Sequence, residues 1–167
     1  MTDTRDRVGD RVRADPGVHF NELVRGLDLA PGQVQYHLRR LEWVVEADLY
    51  GQTHYYPPEY DEGERRALAL LRRETAADVV ALLLETGALP ATEVAERVGI
   101  ARSTLSWHVD RLTEAGLVGE ERDHRNRVVL SPGDPEWTAR LLRRAEPATP
   151  ERLVDRFTRL VDSLLAE

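Results

Sequence analysis

Residues 19–41, HFNELVRGLDLAPGQVQYHLRRL, and residues 90–112, PATEVAERVGIARSTLSWHVDRL, are two versions of one pattern set 71 positions apart. Aligned, Glu22 falls on Glu93, Leu23 on Val94, Leu27 on Val98, Leu29 on Ile100 and Ala30 on Ala101. Val34, His37, Leu38, Arg40 and Leu41 then fall on Leu105, His108, Val109, Arg111 and Leu112. The apolar positions are those that one helical face needs. Each copy therefore reads as a short amphipathic helix, a turn, and a second amphipathic helix with polar residues outward, which is a helix-turn-helix.

Working outward, a first helix over Asp3–Ala14 is stopped by Asp15-Pro16-Gly17. Asn21–Leu27, with Asn21 as a candidate cap, leads to the turn Leu29-Ala30-Pro31-Gly32 and a second motif helix running to about Val45. ADLYGQTHYYPP brackets Gly51-Gln52 with aromatic and β-branched residues and reads as a hairpin. Helices are expected over Glu62–Arg73 and Thr75–Glu85. The second motif follows, with its turn at Gly99-Ile100-Ala101 and a helix Arg102–Ala115 ended by Gly116. A second hairpin spans about Val118–Leu130, and helices Glu136–Ala145 and Glu151–Ala166 close the chain.

The expected fold is mainly α with small β-hairpin wings, an α+β arrangement of two tandem winged-helix modules plus C-terminal helices. Residues 1–58 form the first module, 59–73 a linker helix, 74–132 the second module, and 133–167 the C-terminal helices. In the last helix Leu153, Phe157, Leu160, Val161 and Leu164 make a broad apolar stripe. It packs on its own module or forms the seam of a dimer, and the spacing fits both.

Composition narrows the function. The chain has no cysteine, which removes disulfides, thiolate nucleophiles and cysteine-based metal or redox sensing. No cluster at metal-ligand spacing, phosphate loop, nucleophile elbow or acid pair is visible, so neither metal, cofactor nor enzymatic activity is expected. No apolar run approaches the roughly 20 residues of a membrane span, and the polar N-terminus is unlike a signal peptide; a cytoplasmic protein is expected. All 23 basic residues are arginine, against 30 acids, for a net charge of −7. Arginine without lysine looks like a GC-rich genome, and the acidic excess resembles proteins of salt-loving archaea. A nucleic-acid reader built this way has to place its arginines locally on an acidic body.

The outward faces of the second motif helices hold the candidates. In the first copy they are Gln33, Gln35, Tyr36, Arg39 and Arg40; in the second, Arg102, Ser103, Thr104, Ser106, Trp107 and Arg111. Gln suits adenine edges, and Arg suits guanine or phosphate. Asp110 and Glu114 weaken the second set. Arg122, Arg125 and Arg127 give the second hairpin positive charge for a minor groove or phosphate, with a plain soluble turn as the alternative. Tyr36 and Trp107, and likewise Trp43, point away from their own cores and either stack on nucleic acid or pack on another part of the chain. His37 and His108 fall on the inner side of their helices and read as buried, satisfied imidazoles rather than ligands.

The stretches VHFNELVRGLDLAPGQVQYHLRRLE and TEVAERVGIARSTLSWHVDRLTEAGLV resemble the helix-turn-helix cores of archaeal winged-helix transcription regulators related to the ArsR and MarR groups. They are similar in particular to haloarchaeal proteins with two such modules in one chain. The resemblance implies the fold and binding of double-stranded DNA, with Pro31–Leu41 and Arg102–Leu112 as recognition helices; the expected protein is a sequence-specific regulator, homodimeric through its terminal or linker helices, with no effector identified. Trp43-Val44-Val45-Glu46 departs from the usual small-residue ending of the first copy. The competing reading is a tandem winged-helix scaffold for protein partners, which an acidic chain with exposed aromatics also fits.

Overall fold

The computed structural model describes residues 3–145. The first half consists of α1 (Thr4–Ala14), β1 (Val18–His19), α2 (Phe20–Leu27), α3 (Pro31–Arg40), β2 (Val45–Leu49) and β3 (Gln52–Tyr56). After α4 (Glu62–Leu71) the order repeats as α5 (Glu74–Thr86), β4 (Leu89–Pro90), α6 (Ala91–Val98), α7 (Arg102–Glu114), β5 (Val118–Arg122) and β6 (Val128–Pro132), and α8 (Pro135–Ala145) follows. The mixed α+β class is as expected. Each half carries an antiparallel three-stranded sheet of the same topology, β1-β3-β2 and β4-β6-β5. The two-residue strands β1 and β4 lie in segments that the sequence shows only as lead-ins to helices.

The apolar spacing of the first motif builds a small core from Val8, Val12, Val18, Leu23, Val34, Leu38 and Tyr55. α3 stops at Arg40, five residues short of the expected end at Val45. Leu41 leaves helical backbone, and Trp43 turns back onto α1. Its indole lies under the Arg13 guanidinium, 3.9 Å from the ring centroid, and a Cβ on Gly9 would stand 3.1 Å from Trp43 Cζ2. Gly9 thus admits the indole, and Trp43 is part of the first core's wall rather than an outward residue. Val45, freed from the helix, pairs with Tyr56 in the hairpin.

The second core is larger, and α4 runs through it. Ala67, Leu68, Leu70 and Leu71 are buried among residues of α5, α6, α7, the second hairpin and α8. The segment expected as a linker is therefore a core helix. Its start is fixed by a capping box in which Glu64 N donates to Asp61 Oδ1 (2.8 Å) and Asp61 N donates to Glu64 Oε1 (3.2 Å). The first hairpin belongs partly to this core as well. Tyr56 is buried in it, while Val45, Ala47, Leu49 and Tyr50 pack against it and Glu46 and Asp48 face solvent, the alternation that a strand imposes.

A buried ionic joint ties the halves. Arg72, just past α4, bonds Asp15 and Glu22, and its side chain is 8% exposed, against 9% for Asp15. Burial opposes its charge, but the bonds and charges of Asp15 and Glu22 more than compensate and raise its pKa. Beside them His19 Nε2 lies 2.8 Å from Glu22 Oε1, and His54, 4% exposed, stands 2.6 Å through Nδ1 from the Gly17 carbonyl oxygen. Desolvation lowers the pKa of both imidazoles, so both are neutral near pH 7. The stripe Leu153, Phe157, Leu160, Val161 and Leu164 lies outside the described residues.

Candidate nucleic-acid interface

α3 begins with Pro31, whose fixed φ suits the first helical position, and its N-terminus is secured by Ala30 N donating to Gln33 Oε1 (3.1 Å). That bond engages Gln33 with its own backbone. The remaining predicted residues of the helix come together: Gln35, Tyr36, Arg39 and Arg40, with Gly32, line one open depression. No atom lies within 4 Å of where a Gly32 Cβ would stand, so the floor there is open. Tyr36 is 51% exposed, and the Arg40 guanidinium lies 4.2 Å from its ring centroid. α3 has no acidic residue, so two arginines, an amide and a phenol face outward without an opposing carboxylate on the helix. Behind them the predicted satisfaction of His37 is not met: its buried Nδ1 has no partner among the described residues.

α7 presents a different face. Arg102, Ser103, Thr104 and Ser106 are exposed along its N-terminal half, the half that a recognition helix points at base edges. Farther along, Trp107 is 43% exposed, with the Arg111 guanidinium 3.5 Å from its ring centroid. Arg111 Nη1 also donates to the Trp107 carbonyl oxygen (3.0 Å). Arg73, at the start of α5, brings its guanidinium 5.6 Å from the Trp107 ring and 5.6 Å from the Tyr50 ring. Asp110 and Glu114 balance Arg102 and Arg111, leaving α7 formally neutral. Burial first, then the nearby charges of Arg73 and Arg111, lower the pKa of His108.

The second hairpin is held from within. The Asp123 carboxylate accepts from Arg125 N (2.8 Å), Arg127 N (2.9 Å) and Arg127 Nε (2.8 Å), which depresses its pKa. Arg122 Nη1 donates to the Asn126 carbonyl (2.9 Å). Of the three predicted wing arginines, Arg125 is the one whose guanidinium makes no hydrogen bond or ion pair with a described residue. Arg122 and Arg127 shape the tip.

Sequence reasoning missed Tyr50, Arg73 and the Asp15–Arg72–Glu22 joint. The one visible signal was a bulky residue immediately before Gly51, in a hairpin position that usually takes Asn, Asp or Gly. Among the described residues no group of three or more His, Asp or Glu could hold a metal, and no helix is long and apolar enough to cross a membrane.

A family model described as an N-terminal HTH domain matches residues 2–68, and one described as a helix-turn-helix domain matches residues 70–120. One helix-turn-helix model thus matches in each half, and the junction between the two matches falls inside α4. It is similar to an HTH-type transcriptional regulator of Methanocaldococcus jannaschii, itself uncharacterized, with 26% identity over 132 residues. The match covers 77% of this chain and 33% of that protein, so the chain spans about a third of the length of its curated relative. Among solved structures, reduced HlyU from Vibrio cholerae aligns with a TM-score of 0.43 and 23% identity, covering 47% of this chain and 81% of that one. A MarR-family transcriptional regulator from Silicibacter pomeroyi aligns with a TM-score of 0.42 and 23% identity, covering 62% and 78%.

Proposed function

We propose that this chain is a DNA-binding transcription regulator with two winged-helix modules, residues 1–58 and 74–132, that reads double-stranded DNA principally through α3. The observation that carries this is the outer face of α3, where Gln35, Tyr36, Arg39 and Arg40 surround an open depression with no carboxylate on the helix. In a major groove, Gln35 and Arg39 are placed for base edges. Arg40, stacked on Tyr36, is placed for phosphate. The N-terminal half of α7, with Arg102, Ser103, Thr104 and Ser106, and Arg125 on the second hairpin supply further contacts. The apolar spacing of Leu153, Phe157, Leu160, Val161 and Leu164 in the sequence supports a homodimer. The arginine-only, acidic composition supports a halophilic archaeal source, in which DNA binding has to work in high salt.

The test is binding of the full chain to genomic DNA fragments over a salt series extended to molar potassium chloride. Fragment-selective binding that weakens with salt is expected, with a slope that falls by about 1 for each phosphate-contacting arginine removed. Loss of selectivity in Arg39→Ala/Arg40→Ala would identify α3 as the reader. Absence of selective binding wherever the protein is folded would sink the proposal. It would favour the second reading, a scaffold for protein partners, which rests on the net charge of −7 and the neutral face of α7.

A further inference from the structure

The first hairpin turns through Tyr50 and Gly51, with Leu49 opposite Gln52 and both turn residues at positive φ (52° and 80°). This is the backbone of a type I′ turn, for which Asn, Asp or Gly is suited at the first position and a bulky aromatic is not. The unfavourable residue has a destination. Tyr50 is partly buried against the second core, and its carbonyl accepts from Arg73 Nη2 (3.2 Å). The guanidinium of Arg73 also reaches the Trp107 ring of α7, which Arg111 covers at 3.5 Å. The tip of the first hairpin, the start of α5 and the middle of α7 therefore meet in one cation–aromatic seat. The equivalent pair on α3, Tyr36 with Arg40, has no hairpin tip on it among the described contacts.

We propose that Tyr50 and Arg73 are positioning residues for the second reading helix: the first hairpin is not a DNA wing but a strut that holds Trp107 and Arg111, and so sets how the N-terminal half of α7 is presented to DNA. Strain accepted at a position where a better residue is available points to use of the side chain rather than of the turn. The inference rests on the DNA-reading proposal and adds to it a role for the chain's own hairpin.

Tyr50→Asn separates this role from a structural one, because Asn-Gly is the preferred type I′ pair. The variant is expected to keep or raise Tm, yet to bind its selected DNA fragment about two- to fivefold more weakly, the size of one exposed cation–aromatic contact. Tyr50→Phe, which keeps the ring, is expected to bind as the unmodified chain does. In a background of Trp43→Phe and Trp137→Phe, the emission of Trp107 reports the seat directly, and Tyr50→Asn is expected to raise its quenching by acrylamide. Unchanged or tighter DNA binding by Tyr50→Asn overturns the inference, as does unchanged Trp107 quenching. Absence of selective binding by the unmodified chain is instead the failure of the DNA-reading proposal, which removes the basis for both.

Discussion

The two motif helices α3 and α7 descend from one pattern, and their surroundings make them unlike. α3 stands over a core of seven buried side chains, with an outer face that is positive and unencumbered. α7 stands over the larger core and is neutral, and its central aromatic is taken up by contacts within the chain. The same contrast holds for the hairpins: the first is spent on packing, and the second keeps its tip in solvent. A repeated pattern thus specifies helices and turns twice, while charge and neighbours decide what each copy is available to do.

Breaking the ionic joint tests how far the first half depends on the second. Arg72→Ala takes the buried cation from Asp15 and Glu22, leaving Asp15 the longer Arg11 contact (3.5 Å) and Glu22 the His19 contact (2.8 Å), and is expected to cost about 3 kcal/mol. The loss should show in urea unfolding, with earlier hydrogen exchange in α1 and α2 than in α5 and α7. A cost below about 1 kcal/mol would mean that apolar packing alone joins the halves.

The equivalent leucines compare the cores directly. Leu112 is fully buried and Leu41 only partly, so Leu112→Ala is expected to cost about 2–5 kcal/mol and Leu41→Ala distinctly less. Equal costs in denaturant titrations would contradict the difference between the cores.

The outer faces of α3 and α7 compare the two proposed readers. Arg39→Ala is expected to weaken selective DNA binding by about 1–3 kcal/mol and to relax sequence preference, as loss of a base contact does. Arg111→Ala, which removes a guanidinium already held on Trp107, is expected to leave the salt slope unchanged. A reversed ranking in binding assays would transfer the principal reading role to α7.

The smallest effect is a pH slope confined to the joint. His19 and His54 ionise below their ordinary 6.5 in the folded chain. Their contribution to stability is therefore complete above pH 6.5 and is lost as pH falls through the lower folded values. Each contributes at most about 1.4 kcal/mol per pH unit. Glu22 adds a loss of the same sign at lower pH: burial pushes its carboxyl up, but Arg72 and His19 hold it below 4.5. His54→Gln should flatten the midpoint of urea unfolding between pH 6.5 and 5.5; an unchanged slope would exclude His54 as its source.

The helix-turn-helix pairs were legible because apolar spacing and turn residues are local signals. α2 falls within a residue of expectation, α6 ends at the predicted turn Gly99-Ile100-Ala101, and α7 ends just before the predicted Gly116. Elements set by distant partners were not legible. Nothing near Trp43 announces that Gly9 will receive it, and nothing near Glu62–Leu71 distinguishes a linker from a core helix, since both need an apolar stripe. β1 and β4 are too short for alternation to show. The candidate site was legible as a list of outward residues. Which of them are free was decided by contacts such as Gln33 with Ala30 and Arg127 with Asp123.

The first hairpin has a consequence for how the polypeptide is made. Val45, Ala47, Leu49, Tyr50 and Tyr56 find their cover in residues that are translated later, from Ala67 through Leu117 and beyond. A nascent chain halted after Pro58 holds its first motif and a complete hairpin with one apolar side open. Maturation of the N-terminal half then waits on the ribosome delivering the other, and dissection at that boundary yields a fragment with an adhesive face rather than a working module.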